Sequence, residues 1–138
     1  DSGRPRIMAS ELRVNTLKDA AGNNSIAMTY VAEGSAKAWQ SITASGGTPS
    51  FNDSFNTSSI VDNDVGRHTL NFSNSFSSVN YAVTGCCQRT GTGQTNDSGE
   101  FRIGDLTTGT EAFSTANEGQ TVFIDCPRTH IHQLGDLA

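Results

Sequence analysis

The chain is short of oily side chains. Hydrophobic residues fill only 34% of its 138 positions, too small a share for a generous private core. A domain of this size is therefore expected to gain stability by packing against copies of itself. Charge is scarce too, at 17% of residues, which sets the sequence apart from disordered chains that combine low hydrophobicity with high net charge. No apolar run approaches the roughly 20 residues that carry a helix across a bilayer, so membrane insertion is not expected. Lys and Arg are few and unclustered, and the net charge is −5 with a pI near 4.9. Such a surface has little to offer a phosphate backbone, and nucleic acid is not an expected partner.

Cysteine is limited to Cys86, Cys87 and Cys126. An odd number with an adjacent pair makes a poor disulfide framework, and the spacing is not that of a zinc site. Neighbours on a strand point to opposite faces, so Cys86 and Cys87 could bridge each other only with strain. Reduced, partly buried thiols are the plain reading and suit assembly in a cytosol. Pairing of Cys126 with Cys86 or Cys87 across strands stays open. The opening DSGRPRIMAS has no apolar h-region of a signal peptide. Met8-Ala9-Ser10 reads as a candidate initiator, which would make Asp1 to Ile7 an upstream remnant.

What the sequence does hold is Ser, Thr, Asn and 14 glycines, a profile of turns and polar strand faces. Leu12 to Leu17 alternates apolar and polar before a turn at Ala21 to Asn24, and Ile26 to Val31 is a weaker strand. Ser54 to Val61, the turn Asp62-Asn63-Asp64-Val65-Gly66 and Arg67 to Phe72 read as a hairpin, with His68, Leu70 and Phe72 on one face. Asn74 to Ser78 makes the next turn and Val79 to Thr84 the next strand. Phe101 to Ile103 and Glu111 to Phe113 are short strands, and Thr121 to Cys126 is a terminal strand that Thr129 to Leu134 continues past Pro127. Helical spacing is absent apart from a possible turn near Ala32 to Ala38. The expectation is an all-β protein, an antiparallel β-sandwich or jelly-roll-like domain over 35–138, preceded by an extended arm over 1–34.

Several blocks together resemble the short tail-fibre-type proteins of marine tailed bacteriophages. They are Ser10 to Asn24, the G-x-A-K-A-W block Gly34-Ser35-Ala36-Lys37-Ala38-Trp39, and Asp53 to Asn63 with Gly66. Asn71-Phe72, Asn80-Tyr81-Ala82-Val83 and the closing Gly135-Asp136-Leu137-Ala138 complete the set. The resemblance covers most of residues 10–138 and is weakest from Gln88 to Asn117. It implies a virion protein, on the tail or head surface, assembled in the host cytoplasm as a homotrimer. The arm would dock to other tail or capsid proteins, and exposed loops would touch a saccharide or protein of the host surface. The polar loop after Gln88, with Thr90, Gln94, Thr95, Asn96 and Asp97, would be the natural contact. The family brings no catalytic residues, and the chain itself shows no G-x-S-x-G or protease-type cysteine context. A capsid decoration or head-fibre subunit is the alternative, and a polysaccharide depolymerase fragment a third, since glycosidase carboxylates leave no sequence spacing to recognise.

Two histidines, His130 and His132, stand one residue apart near the end. On a strand they point the same way, about 7 Å apart. One chain supplies too few imidazoles for a transition metal, but three chains on a three-fold axis would supply six. That is the octahedral set of an axial iron or a similar ion, and the resemblance to phage fibres favours it. The plainer reading is the polar face of a terminal strand with Ile131 turned inward; a catalytic role is the third. The acidic turn at Asp62 to Gly66 offers too few oxygens for calcium and lacks the closing Glu of an EF-hand. Trp39 is either a sugar-stacking platform or an anchor in a core or subunit interface, with Phe72 and Tyr81 read as anchors in the same way.

Overall fold

A computed structural model describes residues 13–44, 46–88, 98–117 and 122–138. In chain order the elements are β1 (Thr16–Lys18), β2 (Ser25–Ala27), α1 (Met28–Gly34), β3 (Ala36–Thr43), β4 (Ser50–Phe55), β5 (Thr57–Asp64), β6 (Arg67–Phe72), β7 (Ala82–Gln88), β8 (Ser98–Leu106), β9 (Thr110–Ala116) and β10 (Arg128–Leu134). The first two strands form a small hairpin of their own, on which α1 packs. The other eight make one antiparallel sheet in the order β4-β3-β10-β7-β8-β9-β6-β5. The fold is all-β, as the sequence predicts.

The sheet bends back on itself until it is nearly closed. Its end strands, β4 and β5, are consecutive in sequence and separated only by Asn56. Asn56 takes a left-handed φ of 54°, a conformation Asn tolerates better than most residues. Its side chain holds the reversal in place: Oδ1 accepts from Asn74 N at 2.8 Å, and Nδ2 donates to Asn74 O at 3.0 Å. At the opposite corner β7 pairs with β8, among the described residues, through Cys87↔Gly99 and Gln88↔Ser98. Between these corners the two halves face each other like the layers of a sandwich.

The interior comes from strict alternation. Ala38, Gln40 and Ile42 of β3 are buried, as are His68, Leu70 and Phe72 of β6, Glu111, Phe113 and Thr115 of β9, and Thr129, Ile131 and Gln133 of β10. Ile42, Ile131, Leu70 and Phe113 form one cluster. Phe72, Phe76 and Tyr81 form another with Ala38, their rings meeting edge-on at 5.0 and 5.9 Å and stacked at 4.2 Å. The Tyr81 hydroxyl lies 3.2 and 3.1 Å from the carbonyls of Thr107 and Thr110 and donates to them. Each such buried ring or branched side chain contributes about 1.5–3 kcal/mol.

Polar groups complete what the apolar residues cannot fill. Gln133 Nε2 donates to Gln40 Oε1 at 3.1 Å and to Glu111 Oε2 at 2.7 Å. Gln40 Nε2 in turn donates to Thr57 Oγ1 at 2.6 Å. Glu111 and Gln133 are both fully buried, and Glu111 Oε1 and Gln133 Oε1 have no hydrogen-bond partner among the described residues. Burial pushes the Glu111 carboxyl up to about 7, against the opposing hydrogen bond from Gln133. A proton on this carboxyl turns one of the surplus acceptors into a donor.

The sequence reading and the structure part at several places. Residues 28–34 are a short helix rather than the continuation of a strand. Its register offers no apolar stripe, and none of its residues is buried, which is why helical spacing failed to announce it. The strand expected over Thr121 to Cys126 is not formed among residues 122–126, where Phe123 makes only an isolated bridge to Ala116. The last strand begins after Pro127, and it lies between β3 and β7 rather than at an edge. Ser54 and Phe55 belong to β4 and not to the hairpin that follows, because Asn56 breaks the run.

Two tests follow from this interior. Gly66, at φ 64°, closes the β5–β6 turn, and a Cβ there would sit 2.6 Å from the Thr115 carbonyl oxygen and 2.7 Å from Ile124 N. Gly66→Ala should cost roughly 2–4 kcal/mol in denaturant unfolding, since both the conformation and the space are wrong. For Glu111 the sign runs against alkaline stability. Between about pH 4.5 and 7 the unfolded chain releases the proton that the folded chain keeps, so stability falls as pH rises and levels off above 7. Glu111→Gln should flatten that decline, gaining about 1–3 kcal/mol over the parent at pH 8 and little at pH 4.5.

Candidate functional site

Strand alternation that buries Gln40, Ile42, Ile131 and Gln133 turns their neighbours outward. In antiparallel pairs, directly opposite residues share a face. On β3 the outward set is Trp39 and Ser41; on β10 it is His130 and His132; on β7 it is Thr84 and Cys86. The register shift between Ser41 and Ile42 leaves Asn52 as the extra residue of β4. The shift lets Phe51 pack against the core while Asp53 and Phe55 face out. Two rows result. One runs Phe55, Trp39, His132, Thr84 and the other Asp53, Ser41, His130, Cys86.

Next to the second row lies a hollow of about 390 Å³ lined by Ser41, Thr43, Asn52, Pro127, Arg128 and His130. Its polar groups are hydroxyls, an amide, a guanidinium and an imidazole, and Asp53 is the nearest carboxylate in the adjoining row. Such a lining can hold a hydroxyl-rich ligand by several hydrogen bonds while the aromatic row offers a flat apolar contact. Phe55 is 53% exposed, an unusual position for a phenyl ring at a strand end.

The histidines fall where strand geometry places them, both exposed with Ile131 fully buried between them. Their strand is the last of the chain, as expected, and it is internal to the sheet, so they stand in the middle of a broad face. Among the described residues no group of three or more metal-ligating side chains comes together. Any metal bound by His130 and His132 would need ligands from outside the described residues of one chain. Trp39 is half-buried on the outward side and belongs to neither core cluster, whereas Phe72 and Tyr81 are core anchors as expected. Thr90, Gln94, Thr95, Asn96 and Asp97 lie outside the described residues.

The sequence reading missed Phe55, Asp53, Asn52 and Arg128. Their grouping depends on register and on one bulge, neither of which leaves a mark in composition. Trp39 did leave one: in Ala38-Trp39-Gln40-Ser41-Ile42-Thr43, period two sets Trp39 with Ser41 and Thr43, opposite Ile42. His68 was read as inward and is so, at 2% exposed. Its ring lies against Phe113, with Nδ1 3.6 Å from Asp62 and Nε2 3.7 Å from Asp125. Those distances are too long for hydrogen bonds, and burial outweighs the two carboxylates and lowers its pKa. It is a neutral core residue beside the Asp62 to Gly66 turn.

Compared with known proteins, the chain matches no family model, no curated protein and no solved structure.

The outward placement is directly testable. His130→Ala and His132→Ala should each leave stability within about 0.5 kcal/mol of the parent. Ile131→Ala, one residue away, should cost about 2–5 kcal/mol. Equal losses at all three positions in urea unfolding would mean that β10 is not placed as described.

Proposed function

We propose that the chain is a non-catalytic adhesion module of a tailed-phage virion, a fibre protein that grips a saccharide of the host surface. The observation that carries this reading is the outward row Phe55, Trp39, His132 beside the polar hollow of Ser41, Thr43, Asn52, Arg128 and His130. Sugars present an apolar ring face and a rim of hydroxyls. Aromatic rings meet the first, and amide, guanidinium and hydroxyl groups meet the second. Trp39 and Phe55 also fall within two of the blocks on which the resemblance to phage fibre proteins rests.

A shallow site on a sheet gives weak affinity by itself. Assembly as a homotrimer would multiply it through effective concentration, so avidity replaces a deep pocket. The N-terminal hairpin and helix support the assembly part of the proposal. They leave Leu17, Ile26 and Tyr30 exposed at 43%, 44% and 73%, an apolar surface suited to sister chains or to another tail or capsid protein. A head-fibre or decoration protein would use the same arm, and antibody labelling of virions separates head from tail. In a second reading, favoured by the exposure of both histidines on one face, that face packs on a three-fold axis and His130 and His132 share a metal. Metal analysis of purified trimer against His130→Ala separates the two.

Binding of the protein to immobilised host polysaccharide provides the main test. Trp39→Ala and Phe55→Ala should each weaken retention roughly tenfold or more without unfolding the domain, and no reducing ends should be released. Undiminished retention by both variants would remove the face from consideration, and release of reducing ends would make the protein an enzyme.

A further inference from the structure

The three cysteines are thiols, Cys86 exposed, Cys87 half-buried and Cys126 buried. They are not equivalent. Alternation on β7 sends Cys86 outward beside His130, and Cys87 inward opposite Gly99 of β8. A Cβ on Gly99 would lie 2.5 Å from Cys87 Sγ and 3.0 Å from Cys126 Sγ. Both sulfurs therefore sit over a residue that has no side chain, and the Cys87 thiol donates a hydrogen bond to Cys126. The carbonyl of Cys126 is held in turn by Ala44 N at 3.3 Å. The chain thus brings two thiols, far apart in sequence, into contact where β7 pairs with β8.

We propose that Cys87 and Cys126 are a redox-sensitive pair that a low-molecular-weight disulfide, such as oxidised glutathione, converts into an intramolecular cross-link. The half-buried Cys87 reacts first. Its thiolate attacks one sulfur of the reagent, forming a mixed disulfide and expelling one thiolate. Cys126 then attacks the Cys87 sulfur, the mixed bond breaks, and the second thiolate leaves. The two protons lost by the protein end on the two expelled thiolates, and the protein gives up two electrons to the reagent. The hydrogen bond that Cys87 donates to Cys126 and burial both push the Cys87 thiol up, so thiolate is scarce at neutral pH and the exchange quickens as pH rises. The bond would tie β7 to the segment leading into β10.

The test incubates the full chain with oxidised glutathione at alkaline pH, blocks remaining thiols by alkylation, and maps peptides without reduction. The expected product is a monomer with the Cys87 and Cys126 peptides joined, and with the exposed Cys86 either alkylated or carrying one glutathione. Cys86→Ser should form the same link, and Cys126→Ser should not. The oxidised parent should unfold on the order of 10 °C above the reduced parent, because the closed loop is long. Wild-type mapping alone decides the matter if a variant does not fold. A Cys86–Cys87 or Cys86–Cys126 link, disulfide-joined dimers, glutathione adducts without a cross-link, or three alkylated thiols would each overturn the proposal. So would an oxidised form that melts at or below the reduced one.

Discussion

One amide group holds the middle of this molecule together. Gln133 Nε2 reaches Gln40 on the neighbouring strand and Glu111 on the facing half of the sheet. A chain with so few apolar side chains cannot fill the space between two β-layers with Leu, Ile and Phe alone. It fills part of it with hydrogen-bonded polar groups, and these stabilise only while nearly all of them are satisfied. An unmade hydrogen bond in such a place costs about 1–3 kcal/mol, more than a typical made one contributes. The interior is therefore sensitive to the protonation of a single carboxyl.

The same shortage explains how the sheet is closed. Two apolar clusters, one of Phe72, Phe76 and Tyr81 and one around Ile42, Leu70, Phe113 and Ile131, cover the interior only because the layers are brought face to face. Asn56 does this at one edge with a left-handed residue and a pair of amide contacts. At the other, β7 pairs with β8, and Cys87, Cys126 and Gly99 meet there. Packing is thus decided at corners, while the flat faces stay free. On the outer face of β4, β3, β10 and β7 that freedom leaves aromatic and polar side chains in rows, the arrangement on which the adhesive role is built.

Much of the fold was legible because period-two alternation is a strong signal. It put His68, Leu70 and Phe72 inside and Ile131 opposite its two histidines, and it marked Gly66 as a turn. What escaped was set by long-range pairing. Nothing in Thr129 to Leu134 says that this last strand is flanked on both sides, since that depends on partners some 40 and 90 residues back in sequence. Glu111 read as the polar start of a strand, yet it is buried against Gln133. Buried acids are rare enough that composition argues against them. Of the places open to Trp39, a sugar-stacking platform, a core or a subunit interface, its period-two neighbours already argued against the core. The expectation that the domain must share its interior with sister chains came from composition. The chain meets part of that shortage alone, with Gln40, Gln133 and Glu111, and leaves exposed apolar side chains mainly on its N-terminal hairpin and helix, on strand ends and in turns.

The most direct measurement of this polar interior is an NMR titration of the Glu111 side-chain carboxyl in the folded protein. A midpoint near 7 is expected for a carboxyl desolvated between the layers and hydrogen-bonded by Gln133. A midpoint near the ordinary 4.5 would mean that water reaches the group, and the closed, polar-filled sandwich would be contradicted.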